Sequence, residues 1–532
     1  MELHKKLARL RQEKGWSQEK TAAELGVSRQ AVQKWESGAG VPELDNLIRL
    51  AQCFRVSLDA LVLDKDMRMK QELHQDALIQ PDYASQDPCE AYGELMVEYR
   101  QCMDEGKALA ELETLFQAVD ALPAGQAKTR LADVLFDLVQ AAPQRADYPY
   151  NEPSELDKIQ ALRPEKQPEK KPVPGKAVLR EKIHGAWLGR VCGCLLGKPV
   201  EGWRTDRLHP FLKATGNWPM RRYILASDFK DEVKAQYGAF EDCCWADRVD
   251  GMPADDDTNY VVLAQELLRR CGRDFRPADV ARSWIDLQPK RAYFTAERVA
   301  YCNIIKGYQP PNTALFQNPY REWIGAQIRG DYFGYINPGD PAMAAEMAWR
   351  DASISHVKNG IYGEMFAAAM IAQAAVEQDI PAIIEAGLSQ APVSSRLYEA
   401  VEAVVNNWRN GVSQQEMFAG IHRRFDEFLG HDWCHTVANA MIVAAALLYG
   451  GGDYGKSICM AVETGFDTDC NGATVGSVLG MRNGASAIDP EWTRPVQDKL
   501  HTAVFGVGTV SIRERAEQTL DHLVHAADGA NK

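Results

Sequence analysis

Ala254-Asp255-Asp256-Asp257-Thr258-Asn259-Tyr260 decides how this chain is read, together with a second stretch far downstream, Gly465-Phe466-Asp467-Thr468-Asp469-Cys470-Asn471-Gly472. The first sets three carboxylates and a hydroxyl in a row. The second offers two more carboxylates, followed by Ala473, Gly476 and Gly480. Carboxylates this dense repel one another and are costly to desolvate unless a cation lies among them. Donors made only of oxygen point to Mg²⁺, Mn²⁺ or Ca²⁺ rather than zinc.

Outward from these stretches the pattern is helical. Residues 260–270 are amphipathic, whereas 362–376 and 436–448 are Ala-rich and apolar nearly all round, as central helices are. Residues 183–196 are rich in small side chains (Gly185, Ala186, Gly189, Gly193, with Gly197 just after), which permits close helix approach. Strand-type alternation is scarce from Lys176 onward, so the expectation is a compact all-α domain over 176–528. Asp257 and Thr258 would then open one helix and Asp469 would precede another, at their positive ends. Small residues there, Gly472, Ala473 and Gly476, would let a phosphate reach backbone N–H groups.

At the other end, Leu3, Leu7 and Leu10 recur at helical spacing, Ser17 and Ser28 stand where helix caps belong, and Gly26 makes the turn between two short helices. Pro42 opens a fourth helix and Ser57 caps a short fifth one ending near Leu63. Residues 67–142 are expected to be a helical middle segment, with apolar stripes at Leu95, Tyr99 and Met103, at Leu109, Leu112, Leu115 and Phe116, and at Leu131, Val134, Leu135 and Leu138. It could pair with a second copy or pack on the last domain. Residues 143–175 turn rich in Pro, Lys and Glu, and read as a semi-extended tether.

With 532 residues the chain is expected to hold several units, and 45% apolar with 25% charged residues is globular composition. A net charge of −14 excludes a chain that coats nucleic acid or anionic membrane along its length, while leaving room for one small DNA-reading module. The 12 cysteines are scattered without a CxxC pair, which suits reduced thiols in a cytoplasm. Residues 1–14 are charged and amphipathic rather than signal-like. The expected location is therefore cytoplasmic.

The run "LRQEKGWSQEKTAAELGVSRQAVQKWESGAGVPELDNLIRLAQCFRVSLDALV" closely resembles the lambda-repressor-like helix-turn-helix family, over about residues 3–64 of a domain spanning 1–66. The resemblance implies a third helix in the major groove, with Ser28, Gln30, Gln33 and Lys34 near bases or phosphates and Gln18 near the DNA backbone. It also implies a double-stranded operator and a homodimer.

The segments "HGAWLGRVCGCLLGKPVEGW", "ADDDTNY", "ISHVKNGIYGEMFAAAMIA" and "GFDTDCNGATVGSVLG", in that order, resemble the signatures of the ADP-ribosylglycohydrolase family. This implies an orthogonal helical bundle holding two Mg²⁺ or Mn²⁺ ions, and hydrolysis at the anomeric carbon of an ADP-ribosyl or related ribosyl group. By the same resemblance Asp255, Asp256, Asp257, Asp467 and Asp469 are metal ligands. Glu201 and Asp257 are the catalytic carboxylates, and His356, Asn471 and Gly472 contact the ligand. Cys470 stands where the family often has Thr or Ser, and cysteine is a poor Mg²⁺ ligand, so the second metal is expected to be held less completely. Residues 204–253 and 308–341 are expected as long insertions that set substrate choice. The alternative is a transcription regulator whose glycohydrolase-like domain binds ADP-ribose or a nucleotide sugar without turnover.

Overall fold

The computed structural model describes residues 3–54, 56, 61, 94–109, 112–238 and 244–529, and divides into two compact units, 1–88 and 89–532. Ser57 and the expected fifth helix to Leu63 fall largely outside the described residues.

The first unit contains α1 (Leu3–Glu13), α2 (Gln18–Leu25), α3 (Arg29–Ser37) and α4 (Leu44–Phe54). Ser17 Oγ accepts the Lys20 N–H and Ser28 Oγ accepts the Ala31 N–H, so both caps form as the sequence predicts. Leu7, Leu10, Ala22, Leu25, Val32, Trp35 and Leu50 close a small apolar core.

The second unit is helical, and its described residues contain one short antiparallel pair, β1 (Lys499–His501) with β2 (Thr509–Ser511). Its first part is a three-helix module: α5 (Leu95–Asp104), α6 (Glu113–Asp120) and α7 (Gln126–Ala141). Leu95, Phe116, Leu135, Phe136 and Val139 fill its core. The expected stripe on α7 is one step out of phase, because Leu131, Val134 and Leu138 are exposed while Ala132, Leu135 and Val139 face inward.

Residues 143–175 are not a free tether. Proline removes helix hydrogen bonds but leaves side chains and carbonyls available for docking, and this segment uses them. Ser154 O accepts the Trp349 Nε1–H at 2.8 Å, Pro153 O accepts the Tyr362 hydroxyl, and Glu152 pairs with buried Arg396 at 2.8 Å. Residues Leu156–Ala161 even complete a short helix. The three-helix module docks beside it: Arg321 holds Glu98 and Glu105 at 2.6 Å each, Lys358 holds Glu105 at 2.5 Å, and Gln101 donates to Glu322 at 2.6 Å. Arg396 closes the group on Glu322 at 2.7 Å.

The body behind these contacts is organised by α8 (Lys176–Gly197), α9 (Asp256–Cys271), α10 (Lys358–Ala374), α11 (Thr436–Gly450), α12 (Thr468–Asn483) and α13 (Ile512–Gly529). The apolar α10 and α11 are central, as their composition predicts. Residues 308–341 depart from expectation: 321–337 are buried throughout and form core rather than loops over a cleft. No helix among the described residues is long and apolar enough to cross a membrane.

Candidate metal centre

Helices α8 and α12 run antiparallel with their backbones touching. A Cβ on Gly185 would lie 2.4 Å from Gly480 O, one on Gly189 2.2 Å from Gly476 O, and one on Gly193 2.0 Å from Gly472 O. The reverse distances are as short, so only glycine fits on either side. This contact places the C-terminal end of α8, with Cys194, Lys198 and Glu201, against the N-terminal end of α12, with Asp467 and Asp469. Gly472 therefore spends its missing side chain on Gly193 rather than on an approaching phosphate.

The third contributor is the start of α9. The loop before it is fixed by Met252, whose N–H donates to Lys499 O and whose carbonyl accepts the His501 N–H, both at 2.9 Å. Asp255 caps α9 through Oδ1 and the Asp257 N–H at 2.9 Å, so the acidic run opens a helix as expected. Asp467 stands at the N-cap position of α12, one turn earlier than the sequence suggests, but its side chain makes no capping hydrogen bond.

Asp255, Asp257, Asp467 and Asp469 are buried, Asp256 is half-buried, and Glu201 lies at the exposed lip. One oxygen or sulfur atom from each of Cys194, Asp255, Asp257 and Asp469 lies within 4.8 Å of the others, as do atoms of Asp467, Asp469 and Cys470. Asp469 belongs to both groups. Asp257 Oδ2 and Asp467 Oδ1 are buried without a hydrogen-bond partner, which is costly for an ionised oxygen unless something cationic meets it. Burial, followed by the neighbouring carboxylates, pushes Asp256 and Asp469 well above the usual carboxylate range. Partial desolvation, then Asp467 and Asp255, push Glu201 up to about 7. Water at the lip tempers that rise without changing its direction. Residues of this kind fit a divalent cation.

Two cations of the chain itself were not singled out from the sequence. Arg190, on α8, is fully buried and donates to Asp257 O at 2.7 Å and Asp257 Oδ1 at 2.9 Å, with Asp331 Oδ2 at 2.9 Å on its other arm. Lys198 donates to Asp255 Oδ2. The spacing carried a signal for them, since Arg190, Cys194 and Lys198 each follow a glycine of the contact face by one residue.

The other expected site residues are placed as follows. Asn471 is buried and donates to Asn439 Oδ1 at 2.8 Å, leaving its own Oδ1 without a partner. His356 is buried beside Ser355, at 2.8 Å, and Glu297, at 4.0 Å, in the group around Arg329. Burial and the Arg329 charge hold it well below the usual imidazole range. Arg329 also takes Asp351 at 3.1 Å, while Arg350 pairs with Glu346 at 2.5 Å.

A separate His431–His435–Asp104 cluster has ligand atoms within 4.8 Å of one another. However, His431 Nδ1 accepts the Trp323 N–H at 3.2 Å and His435 Nδ1 accepts the Val437 N–H at 3.2 Å. With Nδ1 accepting in each ring, the proton lies on Nε2, which faces Asp104 at 3.1 Å in His431 and Glu322 at 3.9 Å in His435 and offers N–H rather than a lone pair.

In the first unit, Gln30, Gln33 and Lys34 are exposed on α3, next to the capping Ser28. Gln18 donates to Glu36 at 2.9 Å, and Glu36 is also gripped by Arg11 at 2.6 Å.

The family described as ADP-ribosylglycohydrolase matches residues 175–531, and a helix-turn-helix family matches 7–61. Over 67 residues the chain is 40% identical to the HTH-type transcriptional activator BcrR of Enterococcus faecalis, covering 13% of this chain and 33% of that protein. Over 61 residues it is 34% identical to the cryptic phage CTXphi transcriptional repressor RstR of Vibrio cholerae serotype O1, covering 12% of this chain and 54% of that protein. The chain thus spans about a third and about half the length of these two curated relatives. A solved structure described as an ADP-ribosylglycohydrolase-related protein complex aligns with a TM-score of 0.40 at 19% identity, over 65% of this chain and 99% of that one. With its family signature extending across most of the second unit, the chain belongs to the ADP-ribosylglycohydrolase family and carries a helix-turn-helix DNA-binding domain ahead of the glycohydrolase domain.

Proposed function

We propose that this chain is a metal-dependent hydrolase that cleaves the glycosidic bond of an ADP-ribosyl or related ribosyl substrate, fused to a sequence-specific DNA-binding module. One observation carries the reading: carboxylates from three separate segments meet in one place, and two of their buried oxygens, on Asp257 and Asp467, lack any partner. Asp255, Asp256, Asp257, Asp467 and Asp469 would hold the divalent cations. Bound there, the cations would orient ribose hydroxyls and a water molecule.

The remaining work falls to the chain's own groups. Glu201, held near neutrality at the lip, can give a proton to the leaving group or take one from water, and as an anion it would stabilise oxocarbenium character at the anomeric carbon. Arg190 holds Asp257 in one orientation through its carbonyl and carboxylate together. Asn471 presents an unpartnered amide oxygen close to the same helix end, where a ligand hydroxyl could donate to it.

Gln30, Gln33 and Lys34 would read the operator, and the exposed stripe of Leu131, Val134 and Leu138 supports a homodimer through the three-helix module. A second reading, a regulator that binds the ligand without turnover, draws support from the docking of residues 143–175, which links the three-helix module firmly to the glycohydrolase body.

Turnover decides between the two. Purified protein with a divalent cation is incubated with ADP-ribosylated arginine, ADP-ribosylated serine and small ribosides, and released ribosyl product is measured by mass spectrometry. Calorimetric titration of ADP-ribose, with EDTA and with Asp256→Ala and Asp469→Ala as controls, is run in parallel. Release abolished by either substitution supports the hydrolase. Binding without release supports the sensor. Neither binding nor release removes the ADP-ribosyl reading.

A further inference from the structure

Sulfur, as well as oxygen, lines the metal centre. In the group of Asp255, Asp257 and Asp469 the fourth atom is Cys194 Sγ, and in the group of Asp467 and Asp469 the third is Cys470 Sγ, each within 4.8 Å of its partners. Both cysteines are buried. They come from α8 and α12, whose glycine faces interlock, so neither thiol can be moved aside by sliding one helix along the other. A third thiol, Cys434, is already committed, donating to Asp467 Oδ2 at 3.3 Å. The unpartnered oxygens Asp257 Oδ2 and Asp467 Oδ1 fall one in each group, independent evidence that each half is built to receive a ligand.

Resting on the reading that this centre holds divalent cations, we propose that it is a mixed oxygen–sulfur site, with Cys194 and Cys470 as ligands in its two halves, selecting thiophilic first-row cations (Fe²⁺, Co²⁺ or Zn²⁺) over Mg²⁺. The physical ground is ligand softness. Carboxylate and water suit Mg²⁺, whereas a thiolate donor adds affinity for the later first-row metals and little for a hard cation. As each sulfur–metal bond forms, the thiol proton passes to solvent, so no oxidant or reductant is required. Cys470, which by composition alone weakens a magnesium site, thereby becomes a selectivity element.

The test uses the full chain, stripped of metal and titrated anaerobically with Co²⁺. The expected result is a sulfur-to-cobalt charge-transfer band in the near ultraviolet, diminished in Cys470→Ser and in Cys194→Ser, and absent in the double variant. Cys434→Ser retains it. In competition titrations Mg²⁺ displaces Co²⁺ at least tenfold more readily from Cys470→Ser than from the unsubstituted protein. Stoichiometric Co²⁺ binding without the band overturns the thiol ligands and leaves the metal centre standing. A band that survives the double variant assigns the sulfur elsewhere and also overturns the proposal. No binding of Co²⁺, Mn²⁺ or Mg²⁺ removes the metal centre itself. Because the unsubstituted protein's spectrum decides the first and last outcomes, a variant that fails to fold leaves the test intact.

Discussion

Gly193 and Gly472 share one space: a Cβ on the first would stand 2.0 Å from the carbonyl oxygen of the second. The obstacle is backbone, so no rotamer change relieves it. Gly193→Ala must push α8 off α12, which strains the core by about 1–3 kcal/mol or more and separates Cys194 and Lys198 from Asp469. Thermal unfolding should show a lowered Tm, and calorimetry a larger loss of metal affinity than the Tm change alone explains. Gly175→Ala, where a Cβ meets nothing within 4 Å, serves as the control and should stay within about 0.5 kcal/mol.

Arg190 bonds both the carbonyl and the carboxylate of Asp257. Arg190→Met leaves Asp257 and Asp331 buried without their partner, a loss of the order of 3–5 kcal/mol. Lysine cannot reproduce the forked contact, so Arg190→Lys should recover little of the stability in chemical denaturation.

The crowd of raised carboxyls gives the metal-free protein a pH signature. Glu201 titrates up to about 7 in the fold against 4.5 as a free side chain, so the protonated native form is favoured. Stability from this group is complete below about 4.5 and is lost as pH rises through about 7. Asp256, Asp257 and Asp469 shift in the same direction. Cations compete with these protons, so the gap in Tm between metal-loaded and EDTA-treated protein should widen from pH 5 to pH 8. A constant gap would contradict the assignment of these groups as ligands.

Arg321 anchors the three-helix module through Glu98 and Glu105. Arg321→Ala strands Glu98 in the interior and leaves Glu105 to Lys358 alone, at about 3–5 kcal/mol, and should open residues 94–142 to limited proteolysis before the glycohydrolase body unfolds. By contrast Arg100, half-exposed beside Asp104, should cost less than about 1 kcal/mol on truncation.

On the DNA side, once an operator has been selected from random sequence, Lys34→Ala should weaken binding to all sites and reduce the salt slope by about one. Gln33→Ala should instead relax preference at one base position, at about 1–3 kcal/mol. Gel-shift titrations at several salt concentrations separate the two.

Much of this was legible in sequence because local chemistry fixed it. Ser17 and Ser28 cap helices by a rule that needs no tertiary context, and Asp255 follows the same rule in the acidic cluster. The glycines of α8 announced a close approach, although not that their partners would be the glycines beside Asp469. What stayed hidden depends on burial across long separations. Arg190 and Lys198 read as ordinary basic residues until Asp257 and Asp255 are brought to them. Residues 308–341 look like loop because Trp, Tyr, Pro and Gly are shared by loops and tightly packed cores alike. Residues 143–175 look like a tether because composition records what proline prevents, not which carbonyls and carboxylates find partners elsewhere.

The docking of residues 143–175 has a consequence for how such a protein can be assembled from parts. The family signature begins at 175, yet Arg321, Arg396 and Lys358 lie beyond it and find their acidic partners Glu98, Glu105 and Glu152 before it. A cut at that border would leave the glycohydrolase domain with Arg321 stripped of both its acidic partners. The stretch these contacts bind into one piece is therefore longer than the signature and includes the three-helix module.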